Sequence, residues 1–392
     1  MMMEIAKKPF EITEKSMRAH AFSGRFLKDY PLWLEALLQV KKAAAKANLA
    51  ATLLSENEEK KIRVACDQLI HPEYRDLFQA DVFQGGGGIA VHTNVNEAIQ
   101  AFSQESGSPL DIKSKINLSQ STSDVLSTAS SMALIHLGNQ LISVLEEVEK
   151  TLLQKASECE GVRTVARTCL RDAFPAPVSK LFEGYALVAG RQKEILKNKI
   201  QALEEVNLGG TVIGSGEGAS LTYQGLVIPF LNEITGLRLK RRDNLFDAAQ
   251  NSDHLGNLSG SLAQAAASWI KISKDLRLMA SGPLTGLNEI TLPQAIPGSS
   301  FFSGKINPTL PETVIQAGFL ILGNHRSIEA TQEHGELFLN VFETCGALKL
   351  YESLELLSGA LLKLNDHCLK ELTINAESCE KWVSIWENNN HA

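Results

Sequence analysis

The sequence lacks the marks of several classes of protein. Its six cysteines are scattered and form no CxxC pair, which argues against a disulfide framework or a zinc site and indicates reduced thiols. Basic residues are not in excess, because 38 lysines and arginines are set against 45 acidic residues for a net charge of −7, so nucleic acid is not an expected partner. No apolar run reaches the roughly 18–20 residues that a membrane span requires.

The N-terminus also lacks the pattern of a secretory signal. Met1 to Phe10 carries Glu4 and two lysines but no apolar segment of the kind that signal peptides contain. These absences together predict a cytoplasmic protein with no membrane partner. With 392 residues, 44% of them hydrophobic, the chain is long enough for a large core and for two or three domains.

Helical patterns are abundant in the sequence. Residues 36–54 are rich in alanine, leucine and lysine, which are good helix formers. Residues 121–124 place an acid three positions after a hydroxyl, which is typical of a helix start, and the apolar pattern then continues to about residue 158. Further helices are predicted at about 178–205 (opened by Pro175 and Pro177), 252–280, 311–348 and 351–372. These lengths predict an all-α fold, a bundle whose long helices pack against other subunits.

The most informative segment is residues 298–308, which we call the serine loop. Its glycines allow a sharp turn that points several backbone N–H groups at one place, where the hydroxyl of Ser299 or Ser300 could be held as an alkoxide-like base. Lys305 and Asn307 could then bind an anionic substrate. Such a set suits removal of a proton from carbon beside a carboxylate, with loss of a neighbouring group. From these residues alone, an ordinary Gly/Ser loop before a helix is an equally good interpretation.

Further segments resemble one known family in their order and spacing. They are residues 41–48, 81–86, 93–97, 117–124, 167–175, 208–211, 276–283, 292–293, 336–342 and 364–368. From about residue 34 to residue 382 the chain resembles the aspartase/fumarase superfamily, in its aspartate ammonia-lyase and class II fumarate hydratase branch. The resemblance implies an elongated helical protomer, four of which assemble around a tetrameric helical core, with each active site built from three subunits. It implies no cofactor and no metal.

The predicted domain division follows the same resemblance. Residues 1–115 would form an N-terminal helical domain and residues 116–370 a central long-helix bundle domain. Residues 371–392 resemble the start of the family's small C-terminal domain, of which the chain would carry only a remnant. Because that domain helps to cover the active site in the family, we expect a site that is more open to water.

Site roles follow from the resemblance residue by residue. Ser299 matches the general base of the family, and Glu312 matches the acid that pairs with a histidine of the catalytic region. The residues that match substrate ligands are Thr168, Ser121, Thr122, Lys305 and Asn307. His92 replaces a family asparagine in the first signature loop, where it could act as an acid or base or bind a carboxylate. A purely structural role for His92 is the alternative.

Several positions that would contact the substrate depart from the family pattern. Cys169 stands where the family has histidine or glutamine, and a thiol cannot replace an imidazole at neutral pH unless its pKa is depressed. Ile89, Ala90 and Val91 replace threonine or serine hydroxyls, and Ser123 replaces an asparagine with a shorter donor. Each lost charge-assisted hydrogen bond would weaken substrate binding by roughly 1.5–3 kcal/mol.

The leading functional hypothesis is a lyase of the aspartase type. It would remove ammonia by anti elimination from an aspartate-like amino acid, giving fumarate or a related product. Fumarate hydratase is the runner-up, and the absence of histidine at position 169 counts against it. The third hypothesis is a diverged or inactive member that acts on another substrate or serves as a binding protein. The expected partners are a small dicarboxylate or amino-acid substrate and further copies of the chain in a homotetramer.

Overall fold

The computed structural model describes residues 10–103, 109–296 and 298–390, and α-helices account for most of them. Their bounds are α1 Glu11–His20, α2 Pro31–Ala50, α3 Glu56–Leu69, α4 Ile89–Ser103, α5 Thr122–Glu158, α6 Val178–Gln201, α7 Leu221–Thr235, α8 Leu245–Gln250, α9 Asp253–Met279, α10 Thr309–Glu333, α11 Glu343–Leu364 and α12 Ala376–Asn390. This content confirms the prediction of an all-α chain built on long helices.

Local sequence signals explain several helix ends. α2 begins with Pro31 in its first turn, where the missing N–H of proline costs nothing. α3 begins at a capping box, in which the Ser55 hydroxyl accepts from the N–H of Glu58 and the Glu58 carboxylate accepts from the N–H of Ser55. α7 ends at Gly236, whose φ of 72° glycine adopts without strain. α5 begins where the hydroxyl-and-acid pattern predicted and runs for 37 residues.

The single helix predicted at 311–348 is wrong. Residues 334–342 separate α10 from α11. Asn340 holds this break, because its Nδ2 donates to the carbonyl of Thr331 at 3.0 Å and its Oδ1 accepts from the N–H of Phe342 at 3.0 Å. The amide side chain thus replaces backbone hydrogen bonds that a continuous helix would make. The apolar pattern continues across the break and so conceals it.

Short two-stranded sheets complete the fold of the described residues. β1 (Arg163–Thr168) pairs antiparallel with β2 (Arg171–Pro177), β3 (Glu205–Val206) pairs parallel with β4 (Lys240–Arg241), and β5 (Ile290–Thr291) pairs antiparallel with β6 (Thr373–Ile374). The turn between β1 and β2 is Cys169 and Leu170, with φ values of 53° and 59°. Pro175 and Pro177, predicted to open a helix, lie in β2, and α6 follows them directly at Val178.

The described residues group into two compact units. The first unit comprises residues up to 136, 199–257 and 326–351, and the second comprises 137–198, 258–325 and those from 352 onward. In the first unit, α2 packs against α3 and α7, and Trp33 and Tyr223 are fully buried. In the second unit, α12 packs on the β1–β2 hairpin, and the buried Trp269 donates its indole N–H to Gln192 at 2.8 Å. The division at residues 115 and 370 stays a prediction.

Bulky apolar side chains of the second unit are exposed on three long helices. Leu153 on α5, Leu187 and Ile195 on α6, and Phe319 and Leu320 on α10 are each at least 44% exposed. Single exposed apolar residues are ordinary, but sets of them on long helices are typical of surfaces that another protein copy covers. None of the described helices is long and apolar enough to cross a membrane.

Candidate functional site

The serine loop places Ser299 in a turn of the backbone. Its Oγ accepts N–H bonds from Phe301 at 3.0 Å and from Phe302 at 2.8 Å. Two N–H donors aimed at one hydroxyl oxygen stabilise negative charge on that oxygen. Ser300, the other candidate base, is exposed. These N–H bonds favour Ser299 over Ser300 as the candidate base, a choice that the sequence left open.

The two ends of the serine loop are held together. Gly298 packs so closely on Lys305 that a Cβ at position 298 would overlap the Lys305 carbonyl, so this position requires glycine. The Asn307 amide donates to the Gly298 carbonyl and closes the loop. The Lys305 side chain is exposed, and its Nζ lies 5.7 Å from the centroid of the Phe302 ring, which is a cation–π distance.

A cavity of about 490 Å³ lies beside the serine loop. Lys305 and Asn307 line it from the loop, and Arg277, Asn288 and Thr291 line it from other segments of the second unit. The lining thus includes two cations, two amides and a hydroxyl, which suit a small molecule that carries a carboxylate. The volume lies within the range of typical small-molecule sites.

Glu312 has an arginine as its partner. Its carboxylate lies 3.1 Å from the guanidinium of Arg277, and the two side chains are 41% and 42% exposed. Glu312 also stands in the first turn of α10, where the helix dipole favours negative charge. In this chain the acid predicted to pair with a histidine therefore forms an ion pair with Arg277. Arg277 was given no site role from the sequence, although the segment 276–283 that contains it matches the family pattern.

The β1–β2 hairpin presents Thr168 to solvent. Thr168 ends β1 and is exposed, and the neighbouring Cys169 is an exposed free thiol in the turn. Arg167, by contrast, forms an ion pair at 2.7 Å with the buried carboxylate of Glu289, which also accepts from the Thr164 hydroxyl. Thr168 is therefore accessible to a ligand, whereas Arg167 is engaged within the fold.

A second group of predicted residues lies at the start of α5. Ser121 and Thr122 belong to residues 117–124, which we call the hydroxyl turn, and both are half-buried. The Thr122 Oγ1 lies 2.9 Å from Nδ1 of His92, a residue of α4 that is 2% exposed. The structure thus brings together His92 and Thr122, which were predicted separately.

Burial keeps the imidazole of His92 uncharged. Desolvation, and after it the positive charge of Lys41, lowers the pKa of His92 well below its ordinary value of 6.5. Its Nε2 is buried and has no hydrogen-bond partner within the described protein. An uncharged imidazole can exchange a hydrogen bond with a substrate, but it cannot neutralise a carboxylate.

Three buried polar residues with no predicted site role support the hydroxyl turn. They are Lys41, Asn48 and Asp124. The Lys41 Nζ donates to the Asn117 side chain at 2.8 Å, and the Asn48 Nδ2 donates to the Leu118 carbonyl at 2.9 Å. Polar residues within apolar helical stretches were the signal that could have found them, because such residues are buried only when they are paired.

The predicted site residues therefore form two groups. His92, Ser121 and Thr122 belong to the first unit, whereas Thr168, Ser299, Lys305, Asn307 and Glu312 belong to the second. Over residues 10–103, 109–296 and 298–390, no three His, Cys, Asp or Glu side chains are grouped so as to hold a metal ion. Both groups offer hydroxyls, and the second adds the cations that an anionic substrate needs.

Known proteins resemble the chain over most of its length. A sequence-family model described as "Lyase" matches residues 10–323. An aspartate ammonia-lyase of Helicobacter pylori is 37% identical over 364 residues, which cover 90% of this chain and 77% of that protein. A fumarate lyase:delta crystallin structure from Brucella melitensis, bound to cobalt, matches with a TM-score of 0.92 at 35% identity and covers 95% of this chain and 84% of its own. A class II fumarase from Schistosoma mansoni matches with a TM-score of 0.89 at 26% identity over 95% of this chain and 82% of that one.

Proposed function

The chain belongs to the aspartase/fumarase superfamily of lyases, and on this basis we propose that it is an ammonia-lyase of the aspartase type. The reaction is anti elimination of ammonia from an aspartate-like amino acid, which gives fumarate or a related unsaturated product. The observation that carries the proposal is the pair of N–H bonds to the Ser299 Oγ, on the loop that also bears Lys305.

Ser299 is the general base in this proposal. A serine hydroxyl is ordinarily a poor base, but the N–H groups of Phe301 and Phe302 stabilise its alkoxide. The base takes a proton from the carbon beside a carboxylate, and that carboxylate then carries the additional charge. Lys305 and Arg277, both in the lining of the cavity, supply cations for it. Loss of the neighbouring amine as ammonia leaves the carbon–carbon double bond.

The remaining predicted ligands hold the rest of the substrate. Ser121, Thr122 and Thr168 offer hydroxyls, and His92 offers an uncharged imidazole beside Thr122. In the family resemblance each site takes loops from three subunits, so a homotetramer would supply both groups of residues to one site. The exposed apolar residues on α5, α6 and α10 support such an assembly. Light scattering that gives the mass of one 42.7 kDa chain would contradict it.

Two observations favour the alternatives. The class II fumarase match supports a hydratase of malate and fumarate. Against the hydratase, the exposed turn carries Cys169 at the position where that reaction would require a histidine. Ile89, at the start of α4, is 58% exposed where the family has a hydroxyl, and this favours a diverged substrate or lost activity. The ammonia-lyase is preferred over the hydratase because position 169 lacks the histidine, and over lost activity because Ser299, Lys305 and Glu312 are all retained.

Ultraviolet absorbance of fumarate tests the proposal. Fumarate formed from L-aspartate supports the ammonia-lyase, and fumarate formed only from L-malate supports the hydratase. No product from either substrate at high protein concentration would remove both and leave the diverged member. Ser299→Ala should lower kcat by about 10²–10⁴-fold, because it removes the base. Ser300→Ala is the matched control and should retain activity; the opposite result would show that the base is Ser300.

A further inference from the structure

Asp124 is a fully buried carboxylate that binds three backbone N–H groups. Its exposure is 0%; Oδ1 accepts from Ser121 at 2.9 Å, and Oδ2 accepts from Gly209 and from Thr211 at 3.1 Å each. Bonds from N–H groups to an ionised acceptor are stronger than neutral ones. One side chain therefore ties the hydroxyl turn to the backbone turn at residues 209–211.

The two turns need external support because part of their backbone is strained. Ser119 has a φ of 63° and Thr211 a φ of 58°, both in the left-handed region that favours glycine. Such conformations persist only where surrounding contacts impose them. Asn48 imposes the first, because its Oδ1 accepts from the Ser119 hydroxyl at 2.8 Å. Asp124 holds the second through the Thr211 N–H.

A buried lysine offsets the charge of Asp124. Lys41 is 1% exposed and is bonded to Asn117, a residue of the hydroxyl turn. Burial raises the pKa of Asp124 to about 7, while its three N–H bonds and the charge of Lys41 act in the opposite direction. Burial lowers the pKa of Lys41 to about 7, and the negative charge of Asp124 acts in the opposite direction. Each of the two opposite charges thus favours the presence of the other inside the protein.

We propose that Asp124 is a positioning residue that holds Ser121, Thr122 and, through Thr122, His92 in the arrangement that receives the substrate. The effect on catalysis rests on the proposed function. The three hydrogen bonds that Asp124 accepts from the two turns, which we call the Asp124 clamp, can be tested without substrate. Asparagine could not replace Asp124, because the amide has one acceptor oxygen and its NH₂ group would face at least one N–H donor. Asp124→Asn should therefore release at least one of the two turns without adding bulk.

Glu97 provides a matched control in the same unit. Its carboxylate is 8% exposed and accepts from the N–H groups of Ile12 at 2.9 Å and Thr13 at 3.1 Å, and from the Thr13 hydroxyl at 2.6 Å. These partners lie in α1 and not in the hydroxyl turn. Glu97→Gln therefore changes a buried carboxylate that, like Asp124, accepts three hydrogen bonds, and it leaves the Asp124 clamp in place.

Hydrogen–deuterium exchange followed by mass spectrometry tests the clamp on the full chain. In Asp124→Asn, peptides over residues 117–125, over residues 207–214 or over both should exchange at least about tenfold faster, and those over residues 11–20 should not change. Glu97→Gln should loosen residues 11–20 and leave the other two segments unchanged. Loosening of all these segments in both variants, or unchanged protection of both 117–125 and 207–214 in Asp124→Asn, would overturn the proposal. If Asp124→Asn does not fold, the double variant Lys41→Met/Asp124→Asn, which leaves neither charge buried alone, is compared with Lys41→Met, so that loss of the Lys41–Asn117 bond is common to both.

Turnover assays on the same variants separate positioning from stability. If the wild-type protein converts L-aspartate, Asp124→Asn should lower kcat by about tenfold or more well below its Tm, and Glu97→Gln should keep kcat within about twofold. Equal losses of kcat in the two variants would assign the effect to stability and overturn the positioning role. If the wild-type protein converts neither aspartate nor malate, the proposed function fails and the exchange result alone decides the clamp.

Discussion

The hydroxyl turn and the serine loop both carry a serine hydroxyl that we propose to act on the substrate, but the protein holds the two segments in place differently. The hydroxyl turn rests on buried side chains, since Lys41, Asn48 and Asp124 are each at most 1% exposed. The serine loop rests on hydrogen bonds within the loop itself, from the Phe301 and Phe302 N–H groups to Ser299 and from the Asn307 amide to Gly298, and its Phe301 is 84% exposed. One segment is anchored in the core, and the other lies at the surface.

This difference separates two requirements of catalysis. Ligands held by buried hydrogen bonds are preorganised, so they lose little freedom when a substrate binds. A segment with few buried apolar contacts opens at low cost in free energy, so it can admit a substrate and then close over it. Substitutions in the hydroxyl turn should therefore reduce stability, and substitutions in the serine loop should reduce activity.

Of the variants that test this comparison, Lys305→Met should have the largest effect, and that effect should fall on activity. Loss of the cation that faces the developing charge should lower kcat/KM by about 10²–10³-fold. Because the side chain is exposed, the free energy of unfolding should change by less than about 0.5 kcal/mol. Fumarate absorbance and urea unfolding measure the two quantities. Lys274→Met, at an exposed lysine of α9, is the control that should change neither. A large loss of stability in Lys305→Met would contradict the expectation that the serine loop affects activity and not stability.

Asn48→Ala should have the next largest effect, and that effect should fall on stability. The substitution leaves the buried Ser119 hydroxyl without its partner and removes one of the two amide donors to the Leu118 carbonyl, so the free energy of unfolding should fall by about 1–3 kcal/mol. Asn307→Ala is the counterpart in the serine loop, and there the loss should stay below about 1 kcal/mol. Urea unfolding of both variants gives the result, and equal losses would show that the two segments are supported alike.

His92→Asn should have a smaller effect, visible in the pH dependence of stability. Because burial lowers the pKa of His92 below 6.5, the folded protein leaves the imidazole neutral while the unfolded chain takes up a proton as the pH falls below that value. This single proton makes the wild-type free energy of unfolding fall by up to about 1.4 kcal/mol per pH unit, and His92→Asn should remove that slope.

Urea unfolding between about pH 5 and pH 7.5 measures this slope on either side of the ordinary histidine pKa. His254 is the matched comparison, because burial lowers its pKa from 6.5 to about 4 in the same unit but away from the hydroxyl turn. His254→Asn should flatten the curve in a similar way, and the double variant should flatten it twice as much. Parallel curves for wild type and His92→Asn would mean that the pKa of His92 is the same in the folded protein as in the unfolded chain.

Much of the helical framework could be predicted because its signals are local. α5 begins at the hydroxyl-and-acid pattern of residues 121–124, and α6 begins at Val178 as expected. The break between α10 and α11 was not predictable from apolar spacing, since Asn340 makes it by bonding to Thr331 and Phe342. The β1–β2 hairpin was not predicted, because Pro175 and Pro177 within β2 are more typical of a helix start than of a strand.

The candidate site was predictable to the extent that its residues are close in sequence. Ser299, Lys305 and Asn307 lie within one loop, so their spacing alone suggested a shared purpose. The partner of Glu312 was not predictable, because Arg277 lies on a different helix. The choice between Ser299 and Ser300 likewise depended on which hydroxyl received the backbone N–H bonds.

By itself the sequence determined the long helices, the family and the residues of the serine loop, because capping signals, apolar periodicity and contiguous motifs act over a few residues. The tertiary structure decided which distant groups meet: His92 with Thr122, 30 positions apart, and Asp124 with the N–H groups of Gly209 and Thr211, 85 and 87 positions away. It also decided charge states, since the pKa of a buried group depends on desolvation and on neighbouring charges in space, which a linear pattern does not contain.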